Sequence, residues 1–177
     1  IFPHPSVIAF MEQRLWAGGW KITNANNTYA LVNGSQIGRY NDFKNDYNTG
    51  NEAITLDIAT QFKEEVLHLV DYNGLKIFTD TSEWAYQNGG AFKQGNNGSL
   101  RTCQPIVFGS ICLYADQTGS QIRAMQYELQ SDIFNSSIIN QMTPSDLVWK
   151  PLAMAQYKDK TDNTGRHLFV LNTATTT

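Results

Sequence analysis

Apolar residues along this chain fall in short runs, many alternating with polar ones, and each run is bounded by Gly, Asn or Asp. A period of two marks half-buried β-strands, whereas an amphipathic helix repeats its apolar positions every three to four residues. Arg14-Leu15-Trp16-Ala17-Gly18 is one such run, and Tyr29-Ala30-Leu31-Val32 answers it across the loop Asn24-Ala25-Asn26-Asn27. Asn33-Gly34 then reads as a hairpin-type turn, since both residues tolerate positive φ. Ile54-Thr55-Leu56-Asp57-Ile58-Ala59 alternates cleanly. The plainest hairpin joins Val66-Leu67-His68-Leu69-Val70-Asp71 to Leu75-Lys76-Ile77-Phe78-Thr79 through Asn73-Gly74, and Glu83-Trp84-Ala85-Tyr86-Gln87 continues it.

Residues 88–99 are rich in Gly and Asn and predict an exposed loop. The strand pattern then resumes at Pro105-Ile106-Val107-Phe108, at Ile111-Cys112-Leu113-Tyr114-Ala115 and at Ile122-Arg123-Ala124-Met125-Gln126-Tyr127. Turns at Gly109-Ser110 and Thr118-Gly119 separate these three. A short helix is predicted over 132–147, where Ile133, Phe134, Ile138, Ile139 and Met142 fall near helical spacing before Thr143-Pro144-Ser145. Strands return at Trp149-Lys150-Pro151-Leu152-Ala153-Met154-Ala155 and His167-Leu168-Phe169-Val170-Leu171. Residues 75–87, 111–127 and 168–177 share one form: an apolar β-run, a polar turn, a second strand. Such units recur at roughly the spacing of propeller blades, about 40 to 50 residues each, though a sandwich of regular hairpins has a similar pattern. The fold class expected is all-β, a partial β-propeller of several antiparallel blades with one short helix, spanning 1–177 as one region of a longer protein.

Composition narrows the function. Of 177 residues, 41% are hydrophobic and 12% aromatic, enough for a packed core. Only 16% are charged, so Asn, Gln, Ser and Thr must carry the polar surface. The net charge is −3 and the 13 Lys and Arg are scattered, which disfavours tight binding to phosphates. No stretch approaches the roughly 20 apolar residues of a membrane span. Ile1-Phe2-Pro3-His4-Pro5 lacks the charged start and apolar run of a signal peptide and reads as mid-chain sequence.

Catalytic chemistry is not evident. The chain has no Gly-x-Ser-x-Gly elbow, no His-Glu-x-x-His and no phosphate-binding loop. Asp57, Asp80, Glu83, Asp116 and Asp132 are the candidates for a glycosidase pair, but each stands where a turn or polar strand position ordinarily carries an acid. His4, His68 and His167 are isolated, and with Cys103 and Cys112 they give no metal-ligand spacing. The two cysteines either face each other across a hairpin or stand as free buried thiols. Asn26, Asn33, Asn97 and Asn135 begin glycosylation-type triplets that are unremarkable in so Asn- and Ser-rich a chain. No catalytic, cofactor-binding or metal-binding residue is assigned. Trp16, Tyr40, Phe43, Phe78, Trp84 and Tyr127 are expected to seal the space between neighbouring sheets. Gly18, Gly34, Gly38, Gly74 and Gly109 mark tight turns or close backbone approach. Glu83 is expected to pair with Arg14 or Arg39.

An ordered series of segments carries a family resemblance. Phe10-Met11-Glu12-Gln13-Arg14-Leu15-Trp16-Ala17-Gly18 comes first, then Asn33-Gly34-Ser35-Gln36-Ile37-Gly38-Arg39-Tyr40-Asn41-Asp42-Phe43. Leu75-Lys76-Ile77-Phe78-Thr79-Asp80-Thr81-Ser82-Glu83-Trp84 is third, and Pro105-Ile106-Val107-Phe108-Gly109 with Arg123-Ala124-Met125-Gln126-Tyr127 is fourth. Order and spacing over 10–147 resemble the tail-nozzle, or packaged-DNA stabilisation, proteins of short-tailed bacteriophages. The end after Pro151 matches the family pattern only loosely. The resemblance implies a virion structural protein of the tail, not an enzyme and without cofactor. It would form a homo-oligomeric ring, usually of six subunits, below the portal and an adaptor ring. It would extend the channel, retain packaged double-stranded DNA and let it pass without sequence-specific binding. The competing expectation is a carbohydrate-binding propeller or host-contact module, with Trp20, Trp149 and Tyr157 stacking on sugar rings.

Overall fold

The computed structural model describes residues 4–20, 30–44, 50–58, 64–139, 151–158 and 166–172. These residues form fourteen β-strands and no helix. The first sheet holds β1 (Val7–Met11), β2 (Arg14–Gly18), β3 (Leu31–Gly34) and β4 (Ile54–Asp57). The second holds β5 (Val66–Asp71), β6 (Leu75–Thr79), β7 (Glu83–Gln87) and β8 (Gly90–Gly95). The third holds β9 (Ile106–Phe108), β10 (Ile111–Ala115), β11 (Ile122–Glu128) and β12 (Ile133–Ile138). β13 (Pro151–Lys158) and β14 (Arg166–Asn172) pair as a two-stranded fourth sheet. Within every sheet each strand pairs antiparallel with the next in sequence, and no sheet closes into a barrel. The three larger sheets are therefore propeller-like blades, up-and-down meanders of four strands.

The blades stack face to face. Met11, Trp16, Val32 and Leu56 of the first pack against Val66, Leu69, Leu75, Ile77 and Trp84 of the second. The next residues along the same strands, Val70, Phe78 and Ala85, with Tyr72 just after β5, point the other way and meet Cys112, Tyr114, Met125 and Phe134 of the third. Leu113, Ala115, Ile122 and Ala124 leave the far face of the third blade and bury Met154. Strand alternation thus sends successive side chains into two different cores. That is why Leu75–Thr79 is buried at every position rather than at alternate ones. The first strands lie near one another, β1 by β5 and β9 by β13; the last strands do likewise, β4 by β8 and β8 by β12.

Local chemistry sets the turns. Asn73 and Gly74 have φ of 46° and 91°, the double left-handed pair that a two-residue hairpin requires. Asn88 and Gly89 repeat it at 49° and 82°. The second pair corrects the expected loop over 88–99, because Asn88-Gly89 is a tight turn and Gly90–Gly95 returns as β8. The expected turn at Asn33-Gly34 is also corrected: both residues lie inside β3. Gly34 is there for close approach, since a Cβ on it would meet the Trp16 ring at 3.0 Å.

The helix expected over 132–147 is overturned as far as it is described, and residues 140–150 lie outside the described residues. Asp132, with φ 54°, ends a turn, and the next residues form β12 along the open edge of β11. Phe134 is buried at 2% exposure while Ile133 stands 42% exposed, so the apolar residues follow a period of two that their spacing had concealed. Trp16, Phe78 and Trp84 seal the joints as expected, but Tyr40, Phe43 and Tyr127 stay 47%, 38% and 40% exposed, Tyr40 edge-on to Phe10 and Tyr127 against Phe134 of its own sheet.

Candidate functional site

A cleft of about 410 Å³ opens where the first strands of the first two blades converge. Residues 6–8 form one wall, residues 67–69 of β5 form the other, and Arg101, Thr102 and Gln104 from the connection into the third blade close the end. β1 and β5 are both edge strands, so each offers this cleft a backbone edge unpaired by its own sheet. His68 is held by a 3.0 Å hydrogen bond from Nε2 to the Leu100 carbonyl. Burial pushes its pKa down, as does the neighbouring Arg101 charge, against the raising effect of the Leu100 contact. At neutral pH His68 is therefore an uncharged donor. Arg101 forks onto Glu65, with Nη1 donating to Oε1 at 2.8 Å and Nη2 donating to Oε2. That bidentate pair keeps the guanidinium charged and neutralises the cleft locally.

Beside the cleft, Glu64 is 2% exposed and anchors the second blade. Its Oε2 accepts from Thr79 Oγ1 at 2.7 Å, from Ser82 Oγ and from Trp84 Nε1 at 3.3 Å, while Lys93 Nζ lies 3.8 Å from Oε1. Burial pushes its pKa up most strongly, but the Ser82, Thr79 and Trp84 donors with the Lys93 charge outweigh it and hold the carboxyl below the usual range. The network ties the approach to β5 to the β6–β7 turn.

Two more charged side chains sit between the second and third blades. Lys76 is fully buried; its Nζ donates to the carbonyls of Asn73 at 2.9 Å and Gly74 at 3.2 Å and lies 3.8 Å from the Phe134 ring centroid. Burial pulls its pKa down to about 8. Glu83, also fully buried, accepts from the backbone and side-chain nitrogens of Asn97 at 3.4 Å each, and burial raises its pKa. Gly95 leaves the room this carboxylate needs, since a Cβ there would sit 2.3 Å from Glu83 Oε2.

None of the five candidate carboxylates lines the cleft. Asp80 Oδ1 accepts from the Glu65 backbone at 2.9 Å. Asp116 caps the β10–β11 turn through Ser120, Gln121 and Thr118. Asp132 accepts from the Tyr127 hydroxyl at 2.5 Å, and Asp57 stands exposed on β4. The acids thus hold separate turns and edges rather than meeting as a pair. The expected Glu83 pairing with Arg14 or Arg39 is overturned as well. Arg14 Nη1 donates to the carbonyls of Ser35 and Glu52, both at 2.6 Å, and Arg39 lies 3.9 Å from Asp42. Both fixed points are close in sequence or strand register to their arginines, whereas Glu83 belongs to the joint with the third blade.

Of the histidines, only His68 reaches the cleft; His4 is exposed, and His167 stacks on Tyr157 with centroids 6.5 Å apart. Cys103 and Cys112 are free and buried on opposite sides of the third blade, so they do not face each other. Burial pushes their pKa values up to about 11 and about 12. Among the described residues no group of three metal-ligating side chains occurs. Tyr157 is 54% exposed and Trp20 is half-buried, while Trp149 lies outside the described residues. Asn33 donates to Thr55 Oγ1 at 3.0 Å, Asn97 serves Glu83, Asn135 lies on β12, and Asn26 falls outside the described residues.

The sequence reading missed Glu64, Glu65 and Arg101. The Arg101–Glu65 pair spans 36 residues, and no local pattern announces a contact that only blade stacking creates. No protein-family model matches the chain, and no curated protein matches it.

Proposed function

We infer that this chain is a structural part of a phage tail nozzle, a stiff wall of propeller blades that extends a DNA channel and carries no catalytic machinery. The observation that carries the reading is the stack of four-stranded up-and-down blades, with first strands β1 and β5 side by side and β9 beside β13. In a propeller, stacked blades of this kind surround a central channel. The segment order that resembles nozzle proteins runs through these same three blades. A net charge of −3 supports passage of DNA without adhesion, since the chain as a whole repels rather than neutralises the phosphates of the duplex. The buried Glu64 and Glu83 networks serve rigidity, which a wall under pressure from packaged DNA needs.

In this reading the partners are further copies in a ring, the portal or adaptor above, and the DNA that slides through. Negative-stain imaging of the purified protein, alone and with portal complexes, tests it. Rings with a central hole, or a tube added to the portal, are the expected result. A monomer that ignores portals and binds or cleaves glycans would overturn it in favour of a host-contact module.

A further inference from the structure

Four Asn-Gly dipeptides stand in the chain: Asn33-Gly34, Asn73-Gly74, Asn88-Gly89 and Asn97-Gly98. Such a pair carries an intrinsic reaction. The glycine backbone nitrogen gives up its proton and attacks the asparagine Cγ, and the side-chain nitrogen leaves as ammonia. Water then opens the resulting succinimide at one carbonyl or the other, leaving aspartate or isoaspartate; no other reactant is consumed. Glycine permits the attack because no Cβ shields its nitrogen. Ring closure requires the Asn–Gly peptide plane to turn until that nitrogen reaches Cγ. Whatever holds the side chain or the peptide plane must open first, and so retards the reaction.

Three of the four are held. Asn33 lies on the inner strand β3 with Nδ2 donating to Thr55 Oγ1 at 3.0 Å, and Gly34 is pressed beneath the Trp16 ring. Asn97 donates to Glu83 Oε2 through its backbone and side-chain nitrogens at 3.4 Å each, and Gly98 is buried against the Asp80 carbonyl. At Asn73-Gly74 the buried Lys76 ammonium donates to both carbonyls, and the Tyr72 nitrogen donates to the Gly74 carbonyl at 3.0 Å. Asn88-Gly89 repeats that left-handed turn without the anchors. Both residues are exposed, and among the described residues no side-chain hydrogen bond reaches either. A Cβ on Gly89 would find nothing within 4 Å. We propose that Asn88 is the site at which this protein modifies itself by deamidation. The product places a new carboxylate on the β7–β8 turn. Its isoaspartyl form also adds a methylene to a backbone whose register sets Gln87 opposite Gly90. The inference stands independently of the nozzle reading.

The test incubates the full chain in mildly alkaline buffer, folded and in guanidinium chloride, and follows each site by peptide mass spectrometry. Tryptic cleavage after Arg39, Lys76, Lys93 and Arg101 leaves each Asn-Gly pair on a peptide of its own. Each folded rate is divided by the rate of the same peptide in denaturant, which removes the effect of neighbouring sequence. Asn88 is expected to keep the largest fraction of its unfolded rate. Asn73 should fall behind it by about tenfold or more, the effect of having to break one hydrogen bond to a charged group. Lys76→Met, checked for folding by circular dichroism, is expected to raise the Asn73 rate and leave that of Asn88 unchanged. A larger folded fraction at Asn33, Asn73 or Asn97, or equal protection at all four sites, overturns the proposal.

Discussion

Replacing Gly34 by Ala tests whether the first core is packed as tightly as the geometry says. β3 is ordinary extended backbone at this position, so Ala is allowed there, and relief of glycine's conformational entropy alone would favour it by about 0.5–1 kcal/mol. The added Cβ, however, would lie 3.0, 3.1 and 3.1 Å from Cζ3, Cε3 and Cη2 of Trp16. Carbon atoms rest at about 3.5–4.0 Å, so three contacts are short at once. Trp16 has no room to withdraw, being fully buried with its ring centroid 5.0 Å from that of Tyr86. Overpacking of this kind costs about 1–3 kcal/mol. The net expectation for Gly34→Ala is a loss of about 1–2 kcal/mol, and at about 2–4 °C per kcal/mol for a chain of this size the midpoint falls by several degrees. Trp16→Phe supplies the control, because it removes the offending ring edge, and Trp16 Nε1 has no hydrogen-bond partner to lose. In that background Gly34→Ala is expected to be neutral or stabilising, a coupling of about 1 kcal/mol or more. Urea unfolding followed by far-ultraviolet circular dichroism reads all four proteins. A single mutant within about 0.5 kcal/mol of wild type, or strict additivity with Trp16→Phe, would refute the reasoning.

The charged residues between the blades make pH predictions of opposite sign. Lys76 has its folded pKa depressed, so between about 8 and the ordinary lysine value the unfolded chain holds the proton that the folded chain has released. Wild-type stability should therefore rise with pH across that window relative to Lys76→Met, by up to about 1.4 kcal/mol per unit. Glu83 has its folded pKa raised, so its contribution is present below the ordinary glutamate pKa and is lost as pH climbs through the folded value. Glu83→Gln should flatten that loss, gaining on wild type as pH rises above the ordinary glutamate pKa in thermal melts. Cys103 and Cys112 should resist a thiol reagent in the folded protein, react together in urea, and form no intramolecular disulfide under mild oxidant. Ser82→Ala should cost about 1–3 kcal/mol by chemical denaturation, since Glu64 and the Trp84 indole both bond to its hydroxyl.

The strands were legible wherever alternation or an Asn-Gly pair spoke for itself, as at Val66–Asp71, Asn73-Gly74 and Leu75–Thr79. The errors have physical causes. Gly90–Gly95 looks like a loop because it is a last strand with little to bury, and pairing with β7, not composition, makes it β8. Ile133–Ile138 passes for helix because Phe134 and Ile138 are four apart, a spacing that two turns of alternation also produce. The β1–β2 turn uses Glu12 and Gln13 at φ of 50° and 58°, residues that carry no turn signal; antiparallel pairing of Met11 with Arg14 imposes the conformation. The cleft was illegible because its walls come from segments about 60 residues apart and meet only when the first two blades stack. The absence of a carboxylate pair at the cleft follows from turn chemistry that each Asp shows locally.

The division of the second and third blades between two cores has a thermodynamic consequence. Among the described residues the three buried clusters each join adjacent sheets, so stability approaches a sum of nearest-neighbour terms, as in a one-dimensional lattice. Opening should begin at the fourth sheet, which has two strands and one covered face, and move inward blade by blade. Amide protons of β6 and β7, flanked on both sides, should exchange last.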